Sequence, residues 1–187
     1  KVANEFQILG DKPGISLDSD FQITSVSPLL IPNDGVVTVS FQVKGGKQGK
    51  NDYIAAFSPA NIDPLTTVPV KFGWCDDHDG YLLKGEGHME FNMTNLRADI
   101  RFYYMTNGTE SPLMRSASDE LVTFENMAEP LRPRVVPSGN TDVMWVLWSS
   151  NSASNPVLEW GTERGIYTNK VNARISSLKK EDMCGEP

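Results

Sequence analysis

Cysteine and histidine are scarce in this chain, with two of each in 187 residues. Two thiols, Cys75 and Cys184, are too few for a disulfide scaffold, and neither stands in a CxxC or Cys/His spacing that would hold zinc. Their number leaves the redox compartment undecided. Two imidazoles, His78 and His88, cannot furnish a histidine-rich metal centre. Positive charge is also short, with 17 Lys and Arg against 24 Asp and Glu and a net charge of −7. No basic field draws in a nucleic-acid backbone, so nucleic acid is excluded as an expected partner. No apolar run approaches the roughly 20 residues that span a bilayer, so no membrane partner is expected. The opening residues, Lys1 to Phe6, lack the apolar stretch of a signal peptide. The missing initiator Met points to processing or trimming, which keeps a removed leader open.

The remaining composition, 39% hydrophobic and 22% charged, is that of a folded globular protein. From about residue 15 to 124, short β-type runs alternate with Gly, Pro, Asn and Asp punctuation, the pattern of an antiparallel sandwich. Val37, Val39, Phe41 and Val43 share one strand face, Val36, Thr38, Ser40 and Gln42 the other, and Asn33-Asp34-Gly35 supplies the turn before them. The almost continuous apolar run Tyr53 to Phe57 predicts a central strand covered on both faces. Met89, Phe91 and Met93 alternate with polar residues, as do Ala98, Ile100, Phe102 and Tyr104, and these two runs are expected to pair as a hairpin. Asn107-Gly108 suits a tight turn with positive φ, and Leu121 to Phe124 returns as a closing strand. The total is about seven strands, an immunoglobulin-like or fibronectin type III-like sandwich over residues 1–126.

Pro130, Pro133 and Pro137 fix φ and remove donors, so 127–137 reads as a stiff linker. Residues 138–187 then offer about three strands: one carrying Met144, Val146 and Trp148 on its inward face, one over 157–160, and one over 171–175. Three strands cannot close a sandwich, so this tract is expected to be the first half of a second sandwich completed by further chain.

Among polar clusters, Asp76-Asp77-His78-Asp79-Gly80 has the oxygen content of a calcium loop but not the spacing of an EF-hand, and a solvated turn is the favoured reading. His88 falls on the polar face of its strand as a surface residue. Asn92-Met93-Thr94 and Asn107-Gly108-Thr109 are N-glycosylation sequons, one on an outward strand face and one in a turn.

Several segments occur in a specific order: 52–60 (Asp-Tyr-Ile-Ala-Ala-Phe-Ser-Pro-Ala), 69–75 (Pro-Val-Lys-Phe-Gly-Trp-Cys), 95–100 (Asn-Leu-Arg-Ala-Asp-Ile), 130–134 (Pro-Leu-Arg-Pro-Arg), 157–161 (Val-Leu-Glu-Trp-Gly) and 183–187 (Met-Cys-Gly-Glu-Pro). Together they resemble the non-catalytic N-terminal region of the larger plant-type purple acid phosphatases, from about residue 50 to the end. The resemblance implies a secreted, or vacuolar-lysosomal, parent protein. Its binuclear centre, iron plus a divalent zinc, manganese or iron ion, would hydrolyse phosphate esters in a domain absent from this chain. That missing catalytic domain is the implied partner, and any phosphate-ester substrate is met through it alone. The family's GDxG, GDxxY, GNH and GHxH motifs are not found: Gly10-Asp11 runs into Lys12-Pro13, and Gly139-Asn140 into Thr141. No catalytic residue, metal ligand or cofactor is therefore carried over, and the chain by itself is expected to be inactive. Secretion would favour glycans at Asn92 or Asn107. The resemblance places a cysteine in both loops without fixing their connectivity, so Cys75 and Cys184 pair, or Cys184 awaits a partner beyond Pro187, or both are thiols.

Trp145 and Leu147 point away from the inward set of their strand, where the family tends to be more polar. They suggest a contact with the first sandwich or the catalytic domain. Homo-oligomerisation is left open. The alternative function is an extracellular tandem β-sandwich module for adhesion or ligand recognition, since such sandwiches serve many purposes.

Overall fold

The computed structural model describes residues 14–15, 17–140, 142–151 and 154–177. The chain divides into two compact units, 1–127 and 128–187. Among the described residues no helix is long and apolar enough to cross a membrane.

In the first unit the strands are β1 (Gly14–Ile15), β2 (Phe21–Ser27), β3 (Leu30–Ile31), β4 (Gly35–Val43), β5 (Tyr53–Phe57), β6 (Lys71–Trp74), β7 (Glu86–Met93), β8 (Arg101–Thr106), β9 (Leu113–Ala117) and β10 (Thr123–Phe124), with one four-residue helix, α1 (Tyr81–Lys84), after a 3-10 turn at Cys75–Asp77. They form a five-stranded sheet in the order β1-β9-β8-β5-β6 and a three-stranded sheet in the order β2-β4-β7, with β3 and β10 paired separately. The alternation in β4 does what the pattern demands: Val37, Val39, Phe41 and Val43 are buried and the residues between them are not. In β7, Met89, Phe91 and Met93 bury in the same way. All five residues of β5 are buried, Ile54 and Ala56 in the main core and Tyr53, Ala55 and Phe57 in a second cluster on the opposite face with Tyr103, Met105, Phe72 and Trp74. A strand that must satisfy two cores has no position for a polar residue, which explains its unbroken apolar run.

The expected hairpin between the runs around Phe91 and Phe102 does not form. β7 pairs with β4 in one sheet, and β8 pairs with β5 and β9 in the other. The two runs instead meet face to face across the sandwich, with the Phe91 and Phe102 rings 5.2 Å apart. The crossover between them is built around buried Asn95. Its amide nitrogen donates to Asn33 Oδ1 (2.9 Å), its Nδ2 donates to the Asn126 carbonyl (2.8 Å), and its Oδ1 accepts from the Arg97 amide (3.0 Å). A tight turn would need residues suited to closing two adjacent strands; this node ties the crossover to two other loops instead. The β8–β9 connection does use Asn107-Gly108, at φ 72° and 71°, the left-handed conformation those residues tolerate.

The second unit holds β11 (Leu131–Pro137), β12 (Met144–Ser149), β13 (Val157–Trp160) and β14 (Asn169–Asn172), as two separate antiparallel ribbons, β11–β12 and β13–β14. The tract read as a stiff linker is thus partly a strand. Proline is tolerated there because β11 is an edge: Pro133 falls where the register shifts between Leu131 and Arg134, a position that needs no ladder donor. Regular pairing resumes with Arg134 opposite Leu147, Val135 opposite Val146 and Val136 opposite Trp145.

Candidate functional site

The most concentrated buried chemistry lies at the start of β5. Asp52 is buried there, and its Oδ2 accepts from the Gly49 amide (2.8 Å), the Tyr81 hydroxyl (2.5 Å) and the Tyr104 hydroxyl (3.2 Å). The Tyr81 and Tyr104 hydroxyls also touch one another. The Asp52 carbonyl accepts from the Cys75 amide at 2.8 Å. Burial pushes the Asp52 carboxyl above its ordinary range, opposed by the hydrogen bonds from Tyr81, Gly49 and Tyr104. Burial likewise pushes the Cys75 thiol and both tyrosines upward, so the phenols remain donors. Cys75, Tyr81 and Tyr104 have no exposed surface and Asp52 almost none. Their role is to pin the 75–84 excursion onto β5 and β8, a satisfied polar network inside an apolar core. Sequence reading missed it, although an Asp directly before a wholly apolar five-residue strand is a signal for a buried, partnered carboxylate.

The expected site residues fall in several places. Asn92 is exposed on β7, its Nδ2 donating to the Asp34 carbonyl at 3.3 Å. Asn107 is exposed in the β8–β9 turn, its Nδ2 donating to the Ser111 carbonyl at 2.8 Å. Cys75 is fully buried as a free thiol; Cys184 lies outside the described residues. The Asp76–Gly80 segment is a turn held by its own backbone, with the His78 amide donating to the Cys75 carbonyl and Gly80 at φ 85°. Among the described residues, no three of His, Cys, Asp and Glu come together in a geometry that could hold a metal ion. The described residues therefore do not fit a binuclear iron centre.

Trp145 and Leu147 are 61% and 52% exposed. Facing pairs in the ribbon put Val136, Trp145 and Leu147 on one side and Val135, Met144 and Val146 on the other. Met144, assigned above to the inward set, is itself 61% exposed. Val146 and Trp148 are half-buried as expected of that face, and Met144 departs from them because it lies at the strand's end in a two-stranded ribbon that leaves no residue fully covered. An open cleft of about 410 Å³ in the first unit, between Asn61, Asp99, Arg101 and Leu121, contains no nucleophile and base within reach of each other.

These features define the class: a fibronectin-like β-sandwich built around a structural polar pin, followed by a small unit of uncovered ribbons. Residues 24–126, more than half of the chain, match the Fn3-like domain from purple acid phosphatase. The chain belongs to the purple acid phosphatase family, of which it carries the N-terminal Fn3-like domain. It is 28% identical to probable inactive purple acid phosphatase 24 of Arabidopsis thaliana, over 92% of this chain and 31% of that protein. Probable inactive purple acid phosphatase 27 of the same plant is 27% identical, over 87% and 29%. The structure resembles that of purple acid phosphatase PPD1 from yellow lupin (Lupinus luteus) seeds with a TM-score of 0.76 and 26% identity, covering 91% of this chain and 33% of that one. The chain thus spans about a third of the length of the relatives it matches.

Proposed function

We propose that this chain is the non-catalytic N-terminal region of a secreted purple acid phosphatase-like protein, in which the second unit supports and positions a metallophosphoesterase domain encoded outside this chain. The observation that carries the proposal is the β11–β12 ribbon, apolar on both faces. Val135, Val136, Met144, Trp145 and Leu147 are all exposed, and such a ribbon needs a layer on each side. One side suits the rest of its own sandwich, and the side of Trp145 and Leu147 suits a neighbouring domain. The exposed sequons at Asn92 and Asn107 support secretion with glycans attached. Several relatives are named as probable inactive, so ester turnover by the whole protein depends on residues outside this chain, as do its iron and divalent metal.

The test uses Trp145→Asp and Leu147→Asp in two settings, the complete natural protein and the 187-residue chain. A buried charge without a partner strongly destabilises a contact. Both variants should lower the folded-to-unfolded ratio of the complete protein by at least about tenfold, a loss of about 1.4 kcal/mol or more read from denaturant melts, and leave the shorter chain unchanged. Equal behaviour of variant and parent in the complete protein contradicts the proposal. Deglycosylation with a mass loss at Asn92 or Asn107 in secreted material checks the compartment.

A further inference from the structure

Both of the chain's histidines come together. The rings of His78 and His88 lie 5.6 Å apart between centroids and are tilted by 48°. His88 is exposed on the solvent face of β7, opposite Ser40 of β4. His78 follows the 3-10 turn. Its amide donates to the Cys75 carbonyl at 3.2 Å, its carbonyl accepts from the Tyr81 amide at 3.1 Å, and its ring meets Phe41 edge-on at 6.2 Å. Each imidazole therefore projects from backbone held by hydrogen bonds, so little ordering is left for a ligand to impose. Between them Gly87 leaves room for the Phe41 ring, which a Cβ there would meet at 2.9 Å, while His78 Cβ would lie at ordinary contact distance, 3.7 Å.

We propose that His78 and His88 form a two-imidazole site for a divalent late transition ion, with Zn2+ and Ni2+ as the probes, its remaining positions filled by water. A metal–nitrogen bond of about 2.0–2.1 Å puts the ion about 3.2 Å from each ring centroid. Two rings on one ion then have centroids about 4.5 Å apart at a right-angled N–metal–N, about 5.2 Å at a tetrahedral one and about 6.4 Å at a linear one. The observed 5.6 Å falls inside that range, nearest the tetrahedral and trigonal arrangements. Imidazole selects zinc, nickel and copper over magnesium and calcium, which prefer oxygen. The rings border an open groove of about 450 Å³ whose rim carries Asp79 and Glu86, a field favourable to cations that Lys84 on the same rim partly offsets. Since no third His, Cys, Asp or Glu converges among the described residues, the protein supplies two ligands and the affinity is modest. A bound ion would tie the 75–85 excursion to β7.

The untagged 187-residue chain, with Cys184→Ser to remove a competing thiol, is stripped with chelator and titrated with Zn2+ and Ni2+ by calorimetry and by thermal melting. One ion should bind per chain with a Kd of about 1–100 μM, and the melting temperature should rise with free ion as linkage requires. Mg2+ and Ca2+ at the same concentrations should do neither. His78→Gln and His88→Gln should each weaken binding by at least about tenfold, and the double variant little further, because either change leaves one imidazole. Melting in chelator reports whether each variant folds. Zn2+-induced shifts of both imidazole ring resonances in the unsubstituted histidine pair give the same answer without a variant. Binding unchanged in both variants, no saturation below about 1 mM, ring resonances that do not move, or Ca2+ binding as well as Zn2+ would each overturn the proposal; the last would assign the ion to the Asp76–Asp79 carboxylates.

Discussion

The two units are written in similar strand-forming language and end in different states. In the first, alternating apolar positions of β2, β4 and β7 face those of β5 and β8, and 24 hydrophobic residues are buried. In the second, the strands make their ladder bonds, yet among its described residues none is buried. The difference teaches that amphipathic strands become a core only when a second layer exists to receive them. Backbone pairing alone leaves a two-stranded ribbon marginal.

The comparison is broken most severely from the side of the closed unit. Phe102 is fully buried and packs on Phe91 across the two sheets. Phe102→Ala should lower the unfolding free energy by about 3–5 kcal/mol, measured by urea melts. A loss below about 1 kcal/mol would mean that the sheets are not packed as described.

Next in size is Asp52→Ala, which leaves the Gly49 amide and the two buried phenols short of their shared acceptor. It should cost about 1–3 kcal/mol. The pH dependence has a definite sign. Burial raises the folded-state pKa of Asp52 above its ordinary unfolded value. Its contribution is therefore fully present below that value and is lost as pH rises through the folded one. The stability of the parent relative to Asp52→Asn should fall as pH rises above the ordinary carboxylate range. A relative stability that climbs instead would show that the three hydrogen bonds outweigh burial.

Cys75 sharpens the contrast chemically. Its thiol has no exposed surface and is pushed up by burial, so it should react with an alkylating reagent only as fast as the first unit unfolds. Prompt native-state labelling at Cys75 would place it outside the core. The smallest expected effect is in the open unit. Trp145→Ala and Leu147→Ala in the 187-residue chain should change stability by less than about 0.5 kcal/mol, because the side chains rest against solvent.

Legibility in the sequence followed the same division. The face assignments of β4 and β7 and the doubly covered β5 could be read from periodicity, because burial repeats every second residue. Which strand pairs with which could not. Alternation in the runs around Phe91 and Phe102 reports a buried face on each, and that is satisfied equally by a hairpin or by facing sheets. The 131–137 strand was hidden because proline argues against a central strand and is silent about an edge. The Asp52, Tyr81 and Tyr104 cluster and the pairing of His78 with His88 were out of reach for a different reason. Each joins elements whose proximity depends on the tertiary fold, and no local pattern encodes it.

The central claim, that the second unit is an incomplete layer awaiting support, is tested most directly by amide hydrogen exchange on β11 to β14, in the 187-residue chain and in the complete natural protein. The account predicts fast exchange in these strands in the short chain, slow exchange in β4, β5 and β8 of the same molecule, and at least about hundredfold slower exchange in β11 to β14 once the remaining sequence is attached. Strong protection of β11 to β14 already present in the monomeric short chain, and unchanged in the complete protein, would contradict it.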